Sequence, residues 1–298
     1  MSVEVIEDAA TVNILEWVEK AEADPELLLE RQVTEVVLAA IGLSDQFGER
    51  IFLKGGILMG VLYASERNTG DIDFTTDLHP EKQLPAALEG ELNRTLPQAC
   101  AKLGYTDLLC QVQSVKIRPR KDTFAESSFP ALEVRIGYAE RGSAQEARYH
   151  QKASTSVVYA DISFNEPISG VQVVKLDEEE ALEIRAYSLK DLIAEKLRAL
   201  LQQPIRKRNR RQDVYDIDHL IQGFPLLEDE KQGLLVALRE KCAARGIDPR
   251  EESLSDDEVK KRARAEWDTL AQEIGEEGLP DFDECFARVD EFYRSLPW

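Results

Sequence analysis

Apolar and polar positions alternate with two different periods along this chain, and the sharpest change of period lies between Ile51 and Phe74. Ile51, Phe52 and Leu53 form a short β-prone run that stops at Gly55-Gly56, where the backbone can take conformations closed to other residues. Ile57 to Ala64 carry apolar side chains at helical spacing, so the glycine pair is expected at a helix N-terminus. Ser65 to Gly70 closes that helix. Asp71 and Asp73 follow at i and i+2 of a short strand, which predicts both carboxylates on one face with Ile72 and Phe74 turned into the core.

Upstream, Val12 to Ala21 and Leu27 to Ile41 read as two helices that brace the core from outside. Downstream, Pro80 to Leu103 mixes helix formers with Pro85 and Pro97, which predicts an interrupted helix. Alternation then takes over, and Val112 to Ile117, Leu132 to Tyr138, Val157 to Phe164 and Val171 to Leu176 are four expected strands. In the third, Asp161 shares a face with Val157, Tyr159 and Ser163, opposite an apolar face of Val158, Ala160, Ile162 and Phe164. These strands extend the sheet begun by Ile51 to Leu53, so the fold class is α/β.

From Ser188 the helical period returns. Leu189, Leu192, Ile193, Leu197 and Leu200 define one apolar arc, with Ser188 as cap and Lys196 near the middle of the arc. Gln212 to Gln222 repeats the pattern, with Asp213 inside its arc and Asp216 and Asp218 nearer the edges. A buried ion requires a partner, so Lys196 and Asp213 either form a structural ion pair or face a ligand. Beyond Pro225 three charged helices are expected, around Leu226 to Arg245, Asp256 to Ile274 and Asp281 to Leu296, with breaks at Gly246 to Pro249 and Gly275 to Pro280. Trp267, Phe282, Phe286, Val289, Phe292 and Tyr293 are expected to pack them. The predicted division is 1–187 and 188–298.

Composition narrows the function classes. A net charge of −20 argues against broad nucleic-acid binding, so a polyanionic partner requires a local basic patch. Two runs qualify: Arg206 to Arg211, with five cations in six residues, and Lys116 to Lys121, with Lys116, Arg118, Arg120 and Lys121. Either can equally be a solvated loop. Four scattered cysteines lack Cys-x-x-Cys spacing and three histidines lie far apart, so core thiols and structural histidines are expected. No apolar run is long enough to cross a membrane, and the acidic N-terminus lacks the form of a signal peptide, so a cytoplasmic location is expected.

Two carboxylates beside a bare glycine turn at a helix N-terminus suit Mg²⁺ and a triphosphate, because Mg²⁺ binds through one or two carboxylates plus substrate phosphates. Lys54-Gly55-Gly56 followed by Arg67-x-Thr69-x-Asp71-Ile72-Asp73-Phe74 resembles the AbiEii/AbiGii toxin family of nucleotidyltransferases, which includes the MenT-type toxins. Glu195-Lys196-Leu197-x-Ala199-Leu200 and Arg211-x-Asp213-Val214-Tyr215-Asp216 resemble that family's later motifs, and the resemblance runs from 54 to 216. Gly56 stands where the wider superfamily has Ser, so that hydroxyl contact to phosphate is absent.

The resemblance implies a DNA polymerase β-like mixed sheet with a helical C-terminal region. It also implies a toxin–antitoxin or phage-defence role and transfer of a nucleotide from an NTP to an RNA, the tRNA 3′ end in some members. Asp71, Asp73 and Asp161 would hold Mg²⁺ or Mn²⁺, with Asp161 either completing that site or taking the proton of the acceptor hydroxyl; the bland alternative is an edge-strand Asp facing water. Gly55, Gly56 and Lys196 would meet phosphate, with Asp213 steadying Lys196 or meeting substrate, and Lys54, Arg67 and Arg211 are further nucleotide contacts. A cognate antitoxin of winged-helix type is the implied partner. A protein or small-molecule acceptor, or nucleotide binding without turnover, are the competing readings.

Overall fold

The computed structural model describes residues 4–176, 182–274 and 278–298. Within them eight strands form one mixed sheet: β1 (Glu4–Thr11), β2 (Ile51–Lys54), β3 (Asp71–Thr76), β4 (Leu108–Arg118), β5 (Ala131–Glu140), β6 (Val157–Ser163), β7 (Gly170–Lys175) and β8 (Glu183–Tyr187). Their spatial order is β1-β7-β8-β2-β3-β6-β5-β4. Strand β3 is central, antiparallel to β2 and parallel to β6. The helices are α1 (Ile14–Glu19), α2 (Pro25–Gly42), α3 (Gly55–Tyr63), α4 (Leu84–Lys102), α5 (Glu146–His150), α6 (Leu189–Arg206), α7 (Arg211–Gly223), α8 (Glu228–Ala243), α9 (Asp257–Arg264), α10 (Ala271–Ile274) and α11 (Phe282–Arg294).

The expected strand, glycine turn, helix and carboxylate strand of residues 51–76 are all present, as are the four later strands and the helices α6, α7, α8 and α11. Ser188 caps α6, its hydroxyl accepting from the Asp191 N–H. The face of β6 that carries Asp161 is half-buried, and the alternate face is buried.

Several expectations need correction. Strands β1 and β8 were not anticipated; β1 carries three acidic residues, and its strand conformation comes from parallel pairing with β7 far along the chain. Helix α2 does not brace the core from outside, because residues 33–41 are buried on every side, Thr34 and Glu35 included. Glu35 accepts a hydrogen bond from the Tyr105 hydroxyl at 2.6 Å. Helix α4 is continuous rather than interrupted: Pro85 sits in its first turn, where its missing N–H costs nothing, and Leu88, Leu92, Leu96 and Ala99 keep an unbroken buried stripe around Pro97.

The helix expected over 256–274 is broken. Helix α9 ends at Arg264, Glu266 adopts a left-handed conformation (φ +65°), and a short 3-10 turn leads into α10. Part of the expected break at Gly275 to Pro280 lies outside the described residues, as does the Lys121 side chain.

Buried apolar side chains of the sheet and of α6, α7, α8, α9 and α11 form one continuous cluster. Trp267, Phe282, Phe286, Val289 and Tyr293 are buried in it as expected, and Phe292 packs at its margin. All four cysteines are buried free thiols, and a ring nitrogen of His219 lies 2.7 Å from the Tyr63 carbonyl oxygen. Among the described residues no helix is long and apolar enough to cross a membrane.

Candidate active site

Strand register sets five charged residues in one row across the sheet. Lys54 on β2 pairs with Asp73 on β3, Asp73 with Asp161 on β6, Asp161 with Glu133 on β5, and Glu133 with Lys116 on β4. Residues in register share a face, so three carboxylates lie side by side between two lysines at strand spacings of about 4.8 Å. Asp71, two residues from Asp73, is exposed beside this row.

Burial pushes Asp73 up to about 6; Lys54 pulls against this, while Glu195 and Asp161 add to it. Burial also raises Asp161, opposed by Arg118 and reinforced by Asp71. Such an excess of negative charge among oxygen donors suits a hard divalent cation. Among the described residues no three His, Cys, Asp or Glu side chains form a closed metal cluster. Asp73 and Asp161 are the carboxylates that could hold a divalent cation together with substrate phosphates.

Gly55 and Gly56 open α3 directly after β2. Gly55 has φ +71°, and a Cβ there would lie 2.8 Å from the Asp73 Cβ and overlap its carboxylate. The glycine therefore serves both the turn and the approach of Asp73. Gly55→Ala is expected to cost about 1–2 kcal/mol through the left-handed conformation alone. It should also displace Asp73, so thermal unfolding and transfer rate should fall together.

A Cβ on Gly56 would lie 2.6 Å from the Thr69 methyl and 3.0 Å from its hydroxyl oxygen. Thr69 therefore occupies the space that a Ser at 56 would need. Thr69 also lines the cleft beside the glycine pair.

Lys54 is buried between two carboxylates, with its Nζ 2.7 Å from Glu166 and 3.0 Å from Glu195. Burial alone would lower its pKa, but Glu166, Glu195 and Asp73 outweigh it and keep the ammonium charged. Glu195 is pushed down to about 2: burial opposes this, and Lys54, Lys241 and Arg198 prevail. Glu166 reaches onward to Arg245 at 3.1 Å. Glu166 was missed in the sequence because it lies in a loop with no pattern around it.

Lys196 is buried as expected, but its main partner is Asp216 at 2.6 Å, with Asp213 at 3.7 Å. Asp216, expected near the edge of the α7 arc, is fully buried and also accepts two hydrogen bonds from Arg67, both at 3.1 Å. Burial works against its ionised form, and Lys196 and Arg67 overcome that and hold its pKa below the ordinary carboxylate range. Asp213 is raised, chiefly by burial, against Lys196 and Arg210, and one of its oxygens has no hydrogen-bond partner. Glu273 binds Arg67 and Arg211, each at 3.0 Å. Arg211 is thus committed to a carboxylate and lies outside the cleft lining, whereas Arg67 reaches the cleft wall.

These groups border a cleft of about 460 Å³. Leu192, Lys196, Ala199, Gln203 and Arg206 line it at every third or fourth position, so one face of α6 forms its wall over about 21 Å. Lys54, Gly55, Gly56, Thr69, Asp73 and Asp213 line it as well, and Asp71 and Asp161 stand outside the lining. Eight lining residues are basic and four acidic, which makes the cleft locally positive in a chain of net charge −20. Arg206, Arg208 and Arg210 of the first basic run are among them. Arg206 and Arg208 are exposed and make no ion pair among the described residues.

A family model described as nucleotidyl transferase AbiEii toxin, type IV toxin–antitoxin system, matches residues 37–288. The chain belongs to this family. It is accordingly a nucleotidyltransferase with an NTP substrate and a toxin's antitoxin partner. The match also runs well past Pro225, where the resemblance in the motifs had ended.

Among solved structures, MenT4, a nucleotidyltransferase toxin from Mycobacterium tuberculosis H37Rv, is similar at TM-score 0.54 and 15% identity, covering 94% of this chain and 88% of that one. JHP933 from Helicobacter pylori matches at TM-score 0.42 and 13% identity, over 90% of each chain. A sequence search of curated proteins finds no match. The MenT4 likeness supports the mixed-sheet α/β fold.

Proposed function

We propose that this AbiEii nucleotidyltransferase moves a nucleoside monophosphate from an NTP to the terminal hydroxyl of an RNA, with the tRNA 3′ end as acceptor. The observation that carries the reading is the in-register pair of Asp73, which lines a locally positive cleft together with Gly55-Gly56, and Asp161 on the neighbouring strand just outside it. In the transfer the acceptor oxygen forms a bond to the α-phosphorus, and the bond from that phosphorus to the bridging oxygen breaks. Pyrophosphate leaves with the electron pair, and the acceptor proton passes to the Asp161 carboxylate.

The N–H groups of the glycine turn at the α3 N-terminus and the Thr69 hydroxyl, all on the cleft wall, orient the phosphates. Lys196, steadied by Asp216 and facing Asp213, neutralises charge that develops on them, and Lys54 and Arg67, each already paired with two carboxylates, keep the cleft wall in place. Asp73 and Asp161, with Asp71 beside them, are the residues that would hold Mg²⁺ or Mn²⁺. A bound divalent ion supplies Lewis-acid stabilisation of the phosphoryl oxygens. We place the enzyme in the cytoplasm beside a winged-helix antitoxin.

The test is incubation of the purified protein with total tRNA, a divalent cation and each α-labelled NTP in turn. Label on RNA with at least one NTP is the expected result. Label confined to a protein or a small molecule overturns the acceptor, and no label on any species overturns transfer.

A further inference from the structure

The row of charges does not end at the metal-binding carboxylates. Beyond Asp161 it continues through Glu133 to Lys116, two strands or about 10 Å further along the sheet. Arg118 joins this outer end: one guanidinium nitrogen lies 3.4 Å from Asp161, and another pairs with Glu133. Glu133 also meets Lys116 at 3.6 Å. Lys116 and Arg118 are alternate residues of β4 whose side chains reach the same carboxylate, and they remain 67% and 45% exposed. None of these three residues lines the nucleotide cleft.

Positive groups therefore flank the carboxylates on both sides. On the cleft side stand Lys54, Lys196, Arg206 and Arg208. In an in-line displacement the attacking oxygen and the leaving pyrophosphate take opposite sides of the α-phosphorus. If pyrophosphate departs into the cleft, the acceptor arrives over β6, β5 and β4. A strand end brings backbone phosphates next to its hydroxyl, whereas a protein side chain or a small alcohol does not. The rest of this −20 chain repels a polyanion, so local cations decide where one docks.

We propose that Lys116 and Arg118 hold the backbone phosphates of the acceptor strand's last nucleotides, across the carboxylate row from the nucleotide cleft. This rests on the RNA-acceptor reading above. Glu133 is a positioning residue: it draws both cations toward Asp161. Arg118 exchanges its carboxylate contacts for phosphate when the strand arrives, which leaves Asp161 free to take the proton of the attacking hydroxyl. The step itself is unchanged, with the new bond at the α-phosphorus and pyrophosphate leaving.

The experiment compares wild type with the Lys116→Ala/Arg118→Ala double variant and with Arg118→Lys, titrating RNA and NTP separately at several salt concentrations. For the double variant, KM for RNA is expected to rise at least tenfold while KM for NTP stays within twofold. Each lost phosphate contact flattens the logarithmic salt dependence of a single strand by about 0.7, so a loss of about 1.4 is expected. Arg118→Lys should recover most of the RNA affinity.

Transfer to RNA by wild type with an unchanged KM for RNA in the double variant would overturn this assignment alone, as would a parallel rise in KM for NTP. Label on protein or a small molecule with wild type would overturn it together with the RNA-acceptor reading. The two failures are separated by the wild-type reaction.

Discussion

Asp73→Asn is expected to lower nucleotidyl transfer by on the order of 10³-fold or more while leaving the protein folded. The amide keeps the shape of the side chain and removes the charge that faces both the cleft and Asp161. At neutral pH the ionised Asp73 sits among Glu195 and Asp161, with a pKa raised to about 6. A carboxylate whose folded pKa lies above its unfolded value costs stability above that folded pKa, and the cost fades as pH falls through about 6. The variant should therefore be at least as stable as wild type near pH 7, because Lys54 keeps its bonds to Glu166 and Glu195.

Transfer assays and thermal unfolding, run side by side, check both halves. A variant that loses activity only because it unfolds would contradict this account. Direct titration adds a third readout: divalent-cation affinity without nucleotide should fall about tenfold per pH unit below about 6, as protons and cation compete for one carboxylate.

Asp216→Ala is expected to destabilise the fold by about 3–5 kcal/mol, the cost of stripping a buried partner from charges that stay behind. Here two cations lose it at once, since Lys196 and Arg67 both bind Asp216. Asp213→Ala in the same helix should behave in the opposite way. One of its oxygens has no hydrogen bond, its ion-pair distances to Lys196 and Arg210 are long at 3.7 and 4.0 Å, and burial already disfavours its charge, so its removal should cost little stability.

Its removal should still reduce transfer, because Asp213 lines the cleft and faces Lys196. Urea unfolding and transfer rates for the two variants give a crossed pattern: Asp216 governs stability and Asp213 governs activity. Equal loss of stability in both would show that the two aspartates share one structural role.

The strand, turn and helix of residues 51–74 were legible because their signals are local. A glycine pair, an apolar period and an Asp-x-Asp alternation each depend on neighbours within a few positions. The inward aim of Lys196 and Asp213 was legible for the same reason, since a helical arc can be counted from the chain alone. An edge position on such an arc is a weaker statement. Asp216 lies near the edge by angle and yet is completely buried, because Arg67 from the loop after α3 closes over it. No count along α7 contains that information.

The two basic runs make the same point. Their composition was evident, but it could not separate a solvated loop from a binding surface. The end of α6 carries Arg206 and the segment after it carries Arg208 to the cleft, and β4 carries Lys116 and Arg118 to the far end of the carboxylate row.

By itself the sequence determined the α/β class, the glycine turn, the aspartates of β3 and the inward lysine, all of them consequences of short-range period and residue chemistry. Only the tertiary structure decided which groups meet. Register between strands distant in sequence set Asp73 beside Asp161 and Asp161 beside Glu133, and helix packing gave Lys196 to Asp216 rather than Asp213. Pairing across the sheet and burial between helices depend on contacts that no local pattern encodes.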